Sequence, residues 1–172
     1  MHKKELNISE YDTFYAGYLS KLDGQTNLFE AFSSHKQETL HFFENISDEK
    51  LLFAYAKDKW TIKEVFQHLI DSERIFMMRC FRIARRDVTP LPGFDQNIYI
   101  APSRANEKSL GHLLEEFKAT RQNSIVMLDS FTQEDLNCIG VANNGPLSAR
   151  AAAFINLGHY LWHQDIINER YL

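Results

Sequence analysis

Between Thr61 and Arg86 the chain carries neither glycine nor proline, and its apolar residues recur at three- and four-residue spacing. That pattern predicts a long amphipathic helix. Its start is marked twice. Thr61 stands at the N-cap with Glu64 three positions on, the pairing of a capping box, and Trp60 can close a hydrophobic staple on Val65. The inward stripe reads Val65, His68, Leu69, Ser72, Ile75, Phe76, Arg79 and Ile83. Such a stripe must be buried against other elements, so one helix of this kind implies more.

Three further segments supply them. Leu28, Phe29, Phe32, Leu40, Phe42 and Phe43 give an apolar side to the stretch from Thr26 to Asn45, with His35 and His41 reading as surface or boundary residues. Ser109 caps a third helix through Leu113, Leu114, Phe117, Thr120, Arg121, Ser124 and Leu128, and Ser148 caps a fourth that runs to about Tyr171. With no strand alternation between them, these segments predict an all-α four-helix bundle, a single domain over residues 1–172. Tyr11, Phe14, Tyr15, Tyr18 and Leu19 form a short N-terminal helical arm, ended by Asp23-Gly24. Pro90, Pro92 and Gly93 exclude regular helix and predict a long Pro-rich crossover loop, about fifteen residues, that can line a site with Asp95, Asn97 and Tyr99. Asn143 to Pro146 is a tight turn.

Composition narrows the function. A net charge of -4 argues against a nucleic-acid partner. The cluster Arg79, Arg82, Arg85 and Arg86 is interleaved with Phe81 and Ile83, which suits a solvated helix face or an anion contact. Cys80 and Cys138 are far apart with no CxxC, so both are expected reduced in a cytoplasmic protein. No apolar run approaches the roughly 20 residues of a membrane span, and no signal peptide is evident at the start.

Chemistry concentrates on the last helix. His159 and His163 are one turn apart, which separates them by about 6 Å along the axis and about 40° around it. They share a face with Ala152, Asn156, Ile166 and Arg170, and one ion can fit between them. His68, in the middle of the second helix's stripe, is the natural third imidazole. Three neutral nitrogens with one open position form a divalent-metal site that suits nickel, zinc, iron or cobalt. Ser72, one turn after His68, and Asn156, one turn before His159, are candidate partners for the imidazoles. Asp71 and Glu73 either accept from an imidazole or make solvent-facing ion pairs with Arg74 or Lys63. Arg79 either binds an anionic thiol or substrate carboxylate or forms a salt bridge within the bundle. Tyr99 either reaches over the site from the loop or packs in the core.

The run His68-Leu69-Ile70-Asp71-Ser72-Glu73-Arg74-Ile75-Phe76, followed by Arg79, Arg82, Ala84 and Arg85 and then by Pro90-Leu91-Pro92-Gly93-Phe94-Asp95, resembles the DinB/YfiT-like superfamily. The closing run Gly158-His159 through His163, with Ile166-Ile167 and Glu169-Arg170-Tyr171-Leu172, is similar to its C-terminal motif. Together they span Trp60 to Leu172. The resemblance implies a four-helix bundle in up-down-down-up order, often a homodimer, with one divalent metal, typically nickel or zinc, on His68, His159 and His163. It also implies chemistry like that of bacillithiol-dependent S-transferases and mycothiol-dependent maleylpyruvate isomerase. Tyr160 and Trp162 stand where similar members often carry an acidic residue and a histidine. The expected function is thus a metal-dependent transferase joining a low-molecular-weight thiol to a small electrophilic substrate. The alternatives are a non-catalytic, stress-associated dimeric bundle and a metal-assisted hydrolase.

Overall fold

In the computed structural model, which describes residues 1–172, four long helices run Leu28–Glu44, Ile62–Ala84, Leu110–Asp129 and Ala149–Arg170. Each begins where a side chain satisfies an otherwise orphaned backbone N–H. Asn27 accepts from Phe29 and Glu30, Thr61 from Glu64, Ser109 from His112, and Ser148 from Ala151. The Thr61 box is closed in return by the Glu64 carboxylate, which accepts the Thr61 N–H at 2.8 Å. The second helix stops at Ala84, and Arg86 then takes a left-handed φ of 62°. None of these helices is long and apolar enough to cross a membrane.

The helices form a bundle in which the first and second, and likewise the third and fourth, are not space neighbours. The first helix packs on the third and fourth, and the second packs on the same two. The first and second therefore lie on one diagonal, the third and fourth on the other. This puts the His68 helix directly beside the His159–His163 helix, its most extensive partner.

Four differences from the sequence reading bear on the site. Residues Ile139–Ala142 (β1) and Gly145–Ser148 (β2) form an antiparallel hairpin, with Asn143 and Asn144 as a two-residue turn at positive φ. Each strand has four residues, too few to display alternation. The Pro-rich crossover gives way at Asn97 to a short helix, Asn97–Ser103, which carries Tyr99. The crossover is pinned to the hairpin, since Leu91 N–H donates to the Val141 carbonyl at 2.8 Å and the Leu91 carbonyl accepts from Asn143 N–H at 2.9 Å. Finally, the fourth helix is not amphipathic in its first half. Every residue from Ala149 to Tyr160 except Arg150 is buried, because the N-terminal arm and the hairpin cover its outer side.

That arm consists of short 3₁₀ turns ending in the single α-turn Ala16–Leu19, which lies on the fourth helix. Its approach depends on Gly158. A Cβ there would sit 2.1 Å from the Tyr18 carbonyl oxygen, so only glycine admits the arm beside His159.

A polar layer crosses the bundle between two apolar clusters. One cluster includes Phe32, Phe76, Leu128 and Phe154; the other includes Leu40, Phe66, Phe117 and Tyr160. Between them lie His35 on the first helix, His68 and Glu73 on the second, Arg121 on the third and His159 on the fourth, all buried. Polar groups at this depth require partners, and they divide into two sets.

Candidate metal centre

The first set is the histidine triad. His68, His159 and His163 each present one ring nitrogen so that all three lie within 4.8 Å of one another. His68 Nε2 and His159 Nε2 are 3.1 Å apart. Two imidazole nitrogens held by one ion at metal–nitrogen bonds of about 2.1 Å are themselves separated by about 3 to 3.5 Å. The donor set therefore fits a divalent cation.

Aromatic neighbours fix the rings. Trp60 packs on His68 with centroids 4.9 Å apart, while Tyr18 and Phe76 meet His159 edge-on at 5.0 and 5.9 Å. Ser72 Oγ lies 3.4 Å from His68 Nδ1, as its position one turn on suggested. His159 Nδ1 has no partner. Burial, with His163 alongside, holds His68 down to about 3; burial alone holds His163 down to about 4. Burial and the two neighbouring imidazoles hold His159 well below the usual histidine range. All three imidazoles are thus neutral at neutral pH, the state that metal ligation requires.

Two cavities reach the triad from different sides. One, of about 130 Å³, is lined by His159, Ser72, Arg79, Tyr15, Tyr18 and Phe94, among others. The other, of about 240 Å³, is lined by His163, Trp60, Asn97, Tyr55 and Tyr171, among others.

Several expected contacts fall elsewhere. Asn156 is buried one turn before His159, but neither its Nδ2 nor its Oδ1 bonds to the imidazole or to any other group. Tyr99 does not reach over the triad; it is stacked on Phe94 with centroids 5.9 Å apart, and Asn97 is the residue of that short helix that lines a cavity. Arg79 is buried and makes no salt bridge; it donates to the Pro92 carbonyl at 2.7 Å and to the Tyr15 hydroxyl at 3.4 Å. Asp71 does pair with Arg74, at 2.9 Å.

The second polar set was not foreseen. Glu73, expected to face solvent or an imidazole, is fully buried and accepts from Arg121 at 2.8 Å through both Nε and Nη2, and from Ser124 Oγ at 2.7 Å. Arg121 is enclosed by the rings of Phe32, Phe117 and Tyr160. Tyr160 is therefore turned away from the triad, and Trp162 lies half exposed against Tyr18. An arginine in register with Leu114, Phe117, Ser124 and Leu128 was the available signal, because an arginine on an inward stripe needs a buried carboxylate.

His35 belongs to this set too. It is buried, not a boundary residue, with Thr39 Oγ1 at 3.2 Å and an Arg121 nitrogen at 3.3 Å from Nδ1. Burial, then the Arg121 charge, pushes it down to about 3. Its folded pKa is thus below that of the unfolded chain. The stabilisation is present above the ordinary histidine pKa and is lost as pH falls from there towards 3. At pH 5 the loss is about 2 kcal/mol relative to pH 7.5. Urea titrations at both pH values should show wild type losing that much more than His35→Gln; equal losses would refute the assignment.

Similarities to known proteins bear on the fold and the family. No curated protein sequence matches the chain. YfiT from Bacillus subtilis, described as "a probable metal-dependent hydrolase with an unusual four-helix bundle topology", superposes with a TM-score of 0.69 at 14% identity, covering 83% of this chain and 85% of that one. At that identity the likeness concerns the fold. The sequence model of the DinB superfamily matches residues 31–167, which hold all four long helices almost entirely and the whole triad. The chain belongs to the DinB superfamily.

Proposed function

We propose that this protein is a metal-dependent enzyme that transfers a group between a low-molecular-weight thiol and a small electrophile, with His68, His159 and His163 as the metal ligands. The observation that carries this reading is the pair of cavities that end on different histidines of one cluster, His159 and His163. Such an arrangement lets two reactants approach one centre from separate sides. A divalent ion there, nickel or zinc by the family resemblance, would supply Lewis acidity that lowers the pKa of a bound thiol or water.

The chain's own residues do the rest. Three neutral imidazoles leave the ion's charge uncompensated, Ser72 orients His68, and Trp60, Tyr18 and Phe76 exclude bulk water from the rings. No carboxylate joins the cluster, and Asp58, the one carboxylate lining either cavity, is exposed beside Lys59. Attack by water gains from a nearby general base, whereas a thiol, ordinarily near pKa 8.5, needs none once its pKa falls. This favours the thiol. The reading takes the chain as one domain in up-down-down-up order, working as a cytoplasmic homodimer.

A metal-assisted hydrolase is the second reading, favoured by the description of YfiT. The test is turnover of metal-loaded protein with monochlorobimane and a panel of small thiols, alongside ester and amide substrates without thiol. Product that requires both thiol and metal supports the transferase. Metal-dependent turnover without thiol supports the hydrolase. Retained metal with neither leaves a non-catalytic metal-binding bundle.

A further inference from the structure

We propose that the cavity on the His159 side is a recognition site for a small planar carboxylate, with Arg79 as the residue that binds its charge. The proposal leans on the metal-enzyme reading only to say that the ligand's other end faces the reacting centre. The case for Arg79 comes from its own surroundings.

Two arginines in this protein are fully buried, Arg79 and Arg121. Arg121 is neutralised by Glu73 at 2.8 Å. Arg79 has no carboxylate within ion-pair distance, although its exposure is 1%. Leaving a guanidinium buried without a counter-charge is strongly unfavourable, so the Arg79 environment favours an anion. Only two acceptors meet its five N–H groups, the Pro92 carbonyl and the Tyr15 hydroxyl, and its Nε has none.

The cavity's shape and lining say what that anion is. Phe76 and Phe94 stand 6.0 and 5.5 Å from the guanidinium carbon, and both rings line the cavity beside it. Aromatic walls suit a flat, ring-bearing ligand, and a carboxylate matches the fork of an arginine better than a point charge does. Besides His159 and Tyr15, the polar side chains are hydroxyls and amides, from Ser72, Tyr18, Gln96 and Asn143, with no acidic side chain to repel an anion. At about 130 Å³ the space resembles the ~150 Å³ that suffices for a benzene ring. The hairpin holds this arrangement in place: it fixes Leu91, next to Pro92, whose carbonyl accepts from Arg79.

The test compares benzoate with its uncharged isostere benzamide by calorimetry on the metal-loaded protein. Benzoate should bind at least about tenfold tighter, the preference expected of a charge-assisted hydrogen-bond pair. Arg79→Gln should reduce that preference to within about twofold with metal content unchanged. Gln96→Glu, at an exposed position on the cavity's edge, should weaken benzoate several-fold and leave benzamide alone, which keeps the test valid if Arg79→Gln does not fold. Equal affinities in wild type, absence of millimolar benzoate binding, or an undiminished preference in Arg79→Gln or Gln96→Glu would overturn the proposal. So would a preference that vanishes on chelation, since the carboxylate would then sit on the metal. A preference that persists in protein with no metal affinity would sink the metal-enzyme reading and leave Arg79 its role.

Discussion

Replacing His159 with alanine lowers divalent-metal content by more than about tenfold while the protein remains helical, because two of the three imidazoles cannot hold the ion alone. His159 is the centre of the cluster: its Nε2 faces His68 Nε2 at 3.1 Å and its ring meets His163 at 4.6 Å. Nothing nearby can substitute, since no Cys, Asp or Glu stands within the cluster. His159 is buried, so its removal also leaves a void; His163→Ala, at a half-buried position, should lose metal with less damage to packing. His112, exposed at the start of the third helix, provides a histidine control that keeps its metal. Elemental analysis of the four purified proteins decides the matter. Equal metal in wild type and His159→Ala would remove the site.

The second large effect is on stability. Arg121→Met should destabilise the protein by about 3 to 5 kcal/mol, because Glu73 would be left charged and without its partner in the middle of the bundle. The exposure of both side chains is 0%, so solvent offers no relief. Glu73→Gln should be comparably harmful, since it leaves the guanidinium uncompensated among Phe32, Phe117 and Tyr160. The double variant Glu73→Leu/Arg121→Met should recover much of the loss, as apolar replacements of buried pairs commonly do. Chemical denaturation gives each value. A single variant within about 1 kcal/mol of wild type would mean that the pair contributes little.

The pair also explains a departure within the HxxxH segment. Tyr160 follows His159 directly, yet its ring covers Arg121 at 4.9 Å and not the triad. Burial, and then the Glu73 charge, raises its hydroxyl well above the usual tyrosine range, so it stays protonated there. The residue at 160 thus serves the ion pair, and the triad is left with imidazoles alone.

What the chain's own order of residues determined was local. Apolar spacing marked the four helices, Thr61, Ser109 and Ser148 marked three of their starts, and His68 and His159 fell on faces that had to be buried. These are short-range consequences of helical periodicity and of capping chemistry. Tertiary structure decided whatever depends on which helix lies beside which. The diagonal placement of the first and second helices brings residues 91 positions apart to 3.1 Å, and it sets Glu73 against Arg121 where charge alone suggested solvent. The hairpin, too short to show a period of two, anchors the crossover whose Pro92 carbonyl meets Arg79. A side chain's spacing along its own helix says which face it occupies; what that face meets is a property of the assembled bundle.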